Sequence, residues 1–413
     1  MQVNGIIAEY NPFHNGHSYQ LNMAKQQTDA DYTIIAMSGN FVQRGTPALL
    51  DKYIRAQMAL ENGADLVLEL PACYSCSSAE YFATGAVALL DRLGVVNHLC
   101  FGSECGETGI LIRIATLLNE EPPIYVNTLK RCLKEGCSYP AARTMALIQC
   151  DPSLGDFHDV LSSPNNILGI EYIRALLRRK STILPVTTRR AGSDYHDIRL
   201  GLNQSSARAI RQAIYEEKEM DCLREQMPES AFDLMSEVMS HARPLLPNDI
   251  SSVMHYKLLY EYNNGKGYTR FLDVSQELSD RICKNLLNFQ NFESFCSLLK
   301  TKDMTYTRIS RCLLHILLDI ETENLHSYSD LDYVPYARVL GFKKESAALL
   351  TAIKANSSIP LITKLADAEQ ILDASAYAML RKELRINEIY QSIVALQTKA
   401  PMINEFSRPI VIV

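Results

Sequence analysis

The sequence predicts an α/β fold: a parallel sheet with helical crossovers in the first half, followed by a mainly α-helical second half. Two patterns carry this prediction. Short apolar runs closed by Pro or Gly alternate with stretches of helical period up to about residue 215, and from about Asp221 the helical period takes over. With 413 residues, 47% of them hydrophobic and 21% charged, the chain is globular in composition and long enough for more than one core.

The first strand runs through Ile6, Ile7 and Ala8 and must end near Tyr10. Asn11-Pro12 follows, and proline neither donates to a ladder nor permits a helix just before itself. His14 and His17 come next with Gly16 between them, and a helix is predicted from near His17 to about Gln27. Gly16 admits close backbone approach, and the helix start offers unpaired N–H groups and the positive end of its dipole. A polyanion there would meet backbone donors and two imidazoles. Histidines three apart are by themselves ordinary surface or core groups, and metal ligation has no nearby third ligand. The order strand, Asn-Pro-Phe, His-x-Gly-His, helix resembles the nucleotidyltransferase superfamily signature, which binds the phosphates of ATP.

A second strand, residues 32–37, stops at Ser38-Gly39-Asn40. Thr46-Pro47 reads as a cap and first-turn proline for a helix carrying Leu49, Ile54 and Met58 and ending at Asn62-Gly63. Lys52 and Arg55, one turn apart, suit either an anion or a solvated helix face. Residues 64–71 read as a third strand, 77–93 as a helix, and 95–101 as a fourth strand ending at Gly102-Ser103. Ligands of such sheets bind beyond the carboxyl ends of the strands, which gathers His14, His17, Ser38-Gly39 and Gly102 on one edge.

Residues 108–149 read as a helical insert made basic by Lys130, Arg131, Lys134 and Arg143. Asn165, just before a helix predicted over residues 167–179, suits either a cap or contact with adenine or ribose. A fifth strand, 181–188, leads into Arg189-Arg190-Ala191-Gly192, where a guanidinium fork matches phosphate oxygens. Tyr195-His196-Asp197 follows, and then Ser205-Ser206 opens a helix with Arg211 one turn on. That pattern resembles the second nucleotidyltransferase signature, which closes on the triphosphate.

The second half breaks at residues 263–267 and 356–360 and shows no internal repeat. A net charge of −6 gives no global attraction to nucleic acid, so RNA would be held by local patches. Lys300, Lys302, Arg308 and Arg311, then Lys343 and Lys344, suit either RNA phosphates or solvated faces. Eleven cysteines, an odd number, suit a reducing cytoplasm. Cys73 and Cys76 have zinc-like spacing but no partner pair, so free thiols and no protein metal site are expected. No apolar run is of membrane-spanning length and no signal peptide is evident, so no membrane association and a cytoplasmic location are expected.

Residues 7–17 (Ile-Ala-Glu-Tyr-Asn-Pro-Phe-His-Asn-Gly-His), 37–45, 63–71, 133–140 and 164–172 closely resemble the bacterial tRNA(Met) cytidine acetate ligase family. Weaker matches such as Arg338-Val-Leu-Gly-Phe342 extend toward the C-terminus. The resemblance implies a Rossmann-like nucleotidyltransferase domain over 1–216, with the insert at about 108–150, and a mainly helical domain over 217–413 that binds tRNA. It implies that acetate, too small to leave a sequence signature of its own, and ATP form acetyl-adenylate and pyrophosphate, with Mg2+ on the ATP. The acetyl group then passes to N4 of the wobble cytidine of elongator tRNA(Met). The family's ATP contacts fall on Ile7, Ala8, Glu9, Tyr10, Asn11, Pro12, Phe13, His14, Asn15, Gly16, His17 and Gln20. They continue at Gly102, Asn165, Arg190, Ala191, Ser205, Ser206 and Arg211, with His14 and His17 as the catalytic pair. Ala191 would act through its backbone, and Gln204 stands where the family usually has an apolar residue. Lys130, Arg131, Lys300, Lys302, Arg308 and Arg311 are the candidate tRNA contacts. A small-molecule adenylyltransferase or carboxylate-activating amide ligase is the alternative, and a non-catalytic nucleotide sensor a third reading. The long second half and basic insert favour the tRNA ligase.

Overall fold

The computed structural model describes residues 1–190 and 205–413. The first strand, β1 (Val3–Ala8), leads into helix α1 (Asn15–Thr28), and β2 (Tyr32–Ser38) follows. A small antiparallel hairpin, β3 (Phe41–Val42) and β4 (Thr46–Pro47), precedes α2 (Lys52–Glu61). Next come β5 (Leu66–Leu70), α3 (Ala79–Arg92) and β6 (His98–Ser103). The insert contains α4 (Thr108–Glu120), α5 (Pro123–Lys134) and α6 (Tyr139–Cys150). Helix α7 (Pro164–Arg179), β7 (Leu184–Arg189) and α8 (Ala207–Tyr215) complete this part.

Strands β5-β2-β1-β6-β7 are adjacent and parallel, as the alternation predicts. The chain winds outward from β1 in both directions, so the order reverses between β1 and β6. That crevice, at the carboxyl ends, is where open α/β sheets bind ligands. Alternate residues of each strand feed two cores. Ile7, Ile34 and Ala36 pack with α3 and α7, whereas Ile6, Ile35 and Met37 pack with α1, α2 and α8.

The second half is mainly helical, as expected, yet it also supplies strands to this sheet. Its helices include α9 (Phe292–Leu299), α10 (Tyr306–Leu317) and α11 (Ala374–Thr398). Strand β8 (Ala337–Phe342) pairs antiparallel with β5, and β9 (Leu361–Ile362) and β10 (Val411–Ile412) pair with β8. The short apolar run Val339-Leu340 lies in a half of mainly helical period, and pairing with the edge of β5 makes it a strand.

Two local expectations are corrected. Thr46-Pro47 closes a hairpin rather than capping a helix; Asp51 caps α2 through Tyr53 N. Lys52 and Arg55 face neither an anion in the ligand cavity nor solvent, since both side chains are fully buried and neither lines that cavity. Lys52 Nζ lies 2.7 Å from Glu69 Oε1 and 2.8 Å from Glu405 Oε1. Arg338 pairs with the same two carboxylates, so two cations and two anions cancel where water is excluded. This cluster joins α2, β5, β8 and the C-terminal segment. Arg55 donates to the carbonyls of Glu9, Ser38, Gly39 and Leu50, tying the carboxyl ends of β1 and β2 together at the rim. No helix among the described residues is long and apolar enough to cross a membrane. All eleven cysteines are free.

Candidate active site

The loop after β1 places the imidazole pair. Helix α1 begins at Asn15 rather than near His17, because His14 itself is the N-cap: its Nδ1 accepts the Gly16 N–H at 3.0 Å. His17, at the third helical position, reciprocates by accepting the His14 N–H at Nδ1, 3.3 Å away. The rings stack with centroids 3.7 Å apart. Tyr10 and Phe13 hold the outer ring, at 4.9 and 5.5 Å from His17. Gly16 has a different reason from the expected one. A Cβ there would lie 2.8 Å from His14 Cε1, so glycine makes room for the capping imidazole itself.

These contacts define the chemistry of the pair. Burial, assisted by Arg190 and Arg211, lowers the His14 pKa to about 3. Burial, then His14 and the same two arginines, lowers that of His17 as well. Both rings are therefore neutral near pH 7. A neutral imidazole that accepts at Nδ1 carries its proton on Nε2. Neither Nε2 has a partner among the described residues, so the pair offers two N–H donors.

They face a cavity of about 440 Å³ at the crevice between β1 and β6. Of the expected ATP residues, Ile7, Ala8, Glu9, Tyr10 and Asn11 line it from the end of β1. Gln20 joins the histidines from α1, and Gly102, Asn165 and Arg190 lie on the opposite wall. The pairing of β6 with β7 sets Gly102 against Thr188, so Arg190 emerges beside it. Asn165 lies inside the first turn of α7, its Nδ2 donating to Glu104 Oε1 at 2.7 Å. Ser206 caps α8 through Ala209 N and lines the cavity with Arg211. Arg211 donates to the Asn11 carbonyl at 2.6 Å, which ties the two predicted clusters together across 200 residues. Burial lowers its pKa to about 10, and it stays charged at neutral pH.

Pro12, Phe13, Asn15, Gly16 and Ser205 do not line the cavity. Phe13 is core, Asn15 donates to the Glu225 carbonyl at 2.7 Å, and Ser205 N donates to Gln226. Ala191, Tyr195-His196-Asp197 and Gln204 lie outside the described residues. Sequence reasoning missed the wall formed by Gln43, Thr46, Glu293, Tyr306 and Thr307. Gln43 stood within a family-like stretch and Thr46 read only as a helix cap, whereas the others carried no local signal.

Of the candidate RNA contacts, Lys130, Arg131, Lys300, Lys302 and Arg308 are exposed. Arg311 is half-buried, with its backbone against Gly45. Among the described residues no group of three or more His, Cys, Asp or Glu side chains could hold a metal ion.

A sheet wound outward from β1, with a His-x-Gly-His helix start and an arginine on a later helix at the same crevice, defines a nucleotidyltransferase. The HIGH Nucleotidyl Transferase family model matches residues 1–404. The chain is 41% identical to the tRNA(Met) cytidine acetate ligase of Clostridium acetobutylicum, covering 95% of this chain and 100% of that one. Against the ligase of the same name from Clostridium novyi the identity is 39%, with coverage of 95% and 98%. The crystal structure of apo Thermotoga maritima TmcAL, 30% identical, matches with a TM-score of 0.92 and full coverage of both chains. The same protein bound with alpha-thio ATP gives 0.90, again at 30% identity and full coverage. The chain belongs to the tRNA(Met) cytidine acetate ligase family.

Proposed function

We propose that this protein joins acetate to N4 of the wobble cytidine of elongator tRNA(Met) at the expense of ATP. Acetate attacks the α-phosphorus, forming acetyl-adenylate and releasing pyrophosphate. The cytidine amine then takes the acetyl group and AMP leaves. One observation carries this reading: two neutral imidazoles with Nε2–H donors share a cavity with Arg190 and Arg211, in a chain that matches acetate ligases over nearly its whole length.

Displacement at phosphorus depends on positioning and charge stabilisation rather than a covalent group. In this reading His14 and His17 donate to the phosphates as charge builds on departing pyrophosphate. Arg190, Ser206 and Arg211 hold the β and γ phosphates, with Ser205 supporting the helix start behind them. Gly102 and Asn165 meet the nucleoside. Magnesium accompanies the triphosphate, with phosphate and water supplying its ligands. Residues 1–216 supply the phosphate-binding groups, and the 217–413 part, which also adds Glu293, Tyr306 and Thr307 to the cavity wall, grips tRNA, aided by Lys130 and Arg131 on the insert. A cytoplasmic location suits ATP and tRNA as substrates.

Incubating the protein with ATP, radiolabelled acetate and bulk tRNA tests the reading: label is expected in RNA. Label confined to a small molecule would favour the adenylyltransferase or amide-ligase alternative, and none at all the nucleotide sensor.

A further inference from the structure

The cavity is broader than the nucleotide-binding crevice. Beside Glu9, whose Oε1 accepts the Gln43 N–H at 2.9 Å, one arm of the cavity is walled by Gln43, Arg44 and Thr46 of the hairpin and by Glu293, Tyr306 and Thr307 from the second half. The hairpin is locked in place there. Gly45 adopts φ +77° and approaches α10 so closely that a Cβ would lie 2.4 Å from Arg311 N. Ser310 Oγ also donates to the Gly45 carbonyl at 2.9 Å.

The arm differs in character from the phosphate end. Tyr306 brings an aromatic ring to it, half-buried in the first turn of α10. Glu293 is pre-oriented: Asn248 Nδ2 and Tyr215 OH donate to its Oε2 at 2.7 and 3.4 Å, and its backbone N–H donates to Asn248 Oδ1. Its Oε1 has no hydrogen-bond partner among the described residues. Arg44 and Arg208 line the same cavity, so what sets the arm apart is not its net charge but an acceptor-only carboxylate, which can give no hydrogen bond to a phosphate. An aromatic face and an acceptor-only group instead suit a nucleobase bearing an exocyclic amine: the ring stacks on the base and the carboxylate accepts an amine N–H.

We propose that this arm is the subsite for the acceptor base, with Tyr306 as its stacking platform and Glu293 as the acceptor that favours cytosine over uracil. This deepens the function proposed above and rests on it. An extruded base would reach the acetyl-adenylate through the same cavity that holds the nucleotide, without crossing bulk water.

The test measures the two half-reactions separately in the full-length protein. Acetate-dependent ATP–pyrophosphate exchange reports adenylation, and acetyl transfer to tRNA reports the complete reaction. Wild-type protein lacking both activities would refute the ligase reading itself, which separates that failure from failure of the subsite. Given an active wild type, Tyr306→Ala should lower kcat/KM for tRNA by about 10- to 100-fold, the scale of losing one base–aromatic stack. Exchange should fall at least about tenfold less, and Tyr306→Phe should restore transfer, since stacking needs the ring and not the hydroxyl. Glu293→Gln presents a donor to the uracil O4, so tRNA carrying a wobble uridine should inhibit this variant more strongly than it inhibits wild type. Equal losses in exchange and transfer, no loss in transfer, failure of Tyr306→Phe to restore it, or unchanged inhibition by the uridine tRNA would overturn the assignment.

Discussion

Replacing His14 separates its two jobs, capping α1 and donating to phosphate. In His14→Asn the amide oxygen can still accept the Gly16 N–H that Nδ1 accepts at 3.0 Å, and asparagine is among the best N-caps. The Nε2–H donor disappears. His14→Ala removes both functions. Loss of one preorganised donor to developing charge costs about 2.7–4 kcal/mol, or roughly 10²–10³ in rate. Loss of the cap costs about 1 kcal/mol of stability. Both variants should therefore lose roughly 10²–10³ in acetate-dependent ATP–pyrophosphate exchange, while only His14→Ala loses the cap contribution in urea unfolding. Exchange by His14→Asn within about threefold of wild type would refute a donor role, because a tenfold change already needs about 1.4 kcal/mol.

Gly16→Ala removes no functional group, yet its Cβ would lie 2.8 Å from His14 Cε1 and displace the ring. Exchange should fall by at least about tenfold, a fraction of the full donor contribution, and wild-type exchange would refute this packing argument. Lys52→Met leaves Glu69 and Glu405 buried with Arg338 alone, so urea unfolding should show a loss of about 3–5 kcal/mol. A loss below about 1 kcal/mol would mean that the cluster relaxes readily. Burial, then the Glu69 charge, raises the Glu383 pKa to about 7. Its folded state holds a proton that the unfolded chain releases near the ordinary glutamate value, so this stabilising contribution is complete below that value and fades as pH rises through 7. Glu383→Gln mimics the protonated form and should gain stability relative to wild type between pH 5 and pH 8; a constant difference in urea unfolding would contradict the shift. If Lys300, Lys302 and Arg308 meet RNA phosphates, replacing all three with alanine should flatten the slope of log K against log salt for tRNA binding by about 2–3, and an unchanged slope would discard them.

Much of the first half was legible because its signals are local. Pro12 ends a strand, the apolar runs return at regular intervals, and His14, Gly16 and His17 lie within four positions of one helix start. Local pattern also misled where a distant partner decides the outcome. Lys52 and Arg55 have the spacing of an exposed cationic face, yet Glu405, 353 positions from Lys52, makes burial of that lysine favourable, and four backbone carbonyls do the same for Arg55. Thr46-Pro47 has the form of a helix start, but Gly45 packed on α10 holds it in a hairpin.

By itself, the order of residues determined the strand–turn–helix unit, the parallel sheet and the family resemblance, since each depends on periodicity or on neighbours along the chain. Only the tertiary structure decided that strands from the second half complete the sheet and that each histidine binds a backbone N–H through Nδ1. It also brought Tyr306 and Glu293 to the same cavity as His14. Burial, tautomer and charge pairing are set by what surrounds a side chain in space, and here those surroundings come from segments hundreds of residues apart.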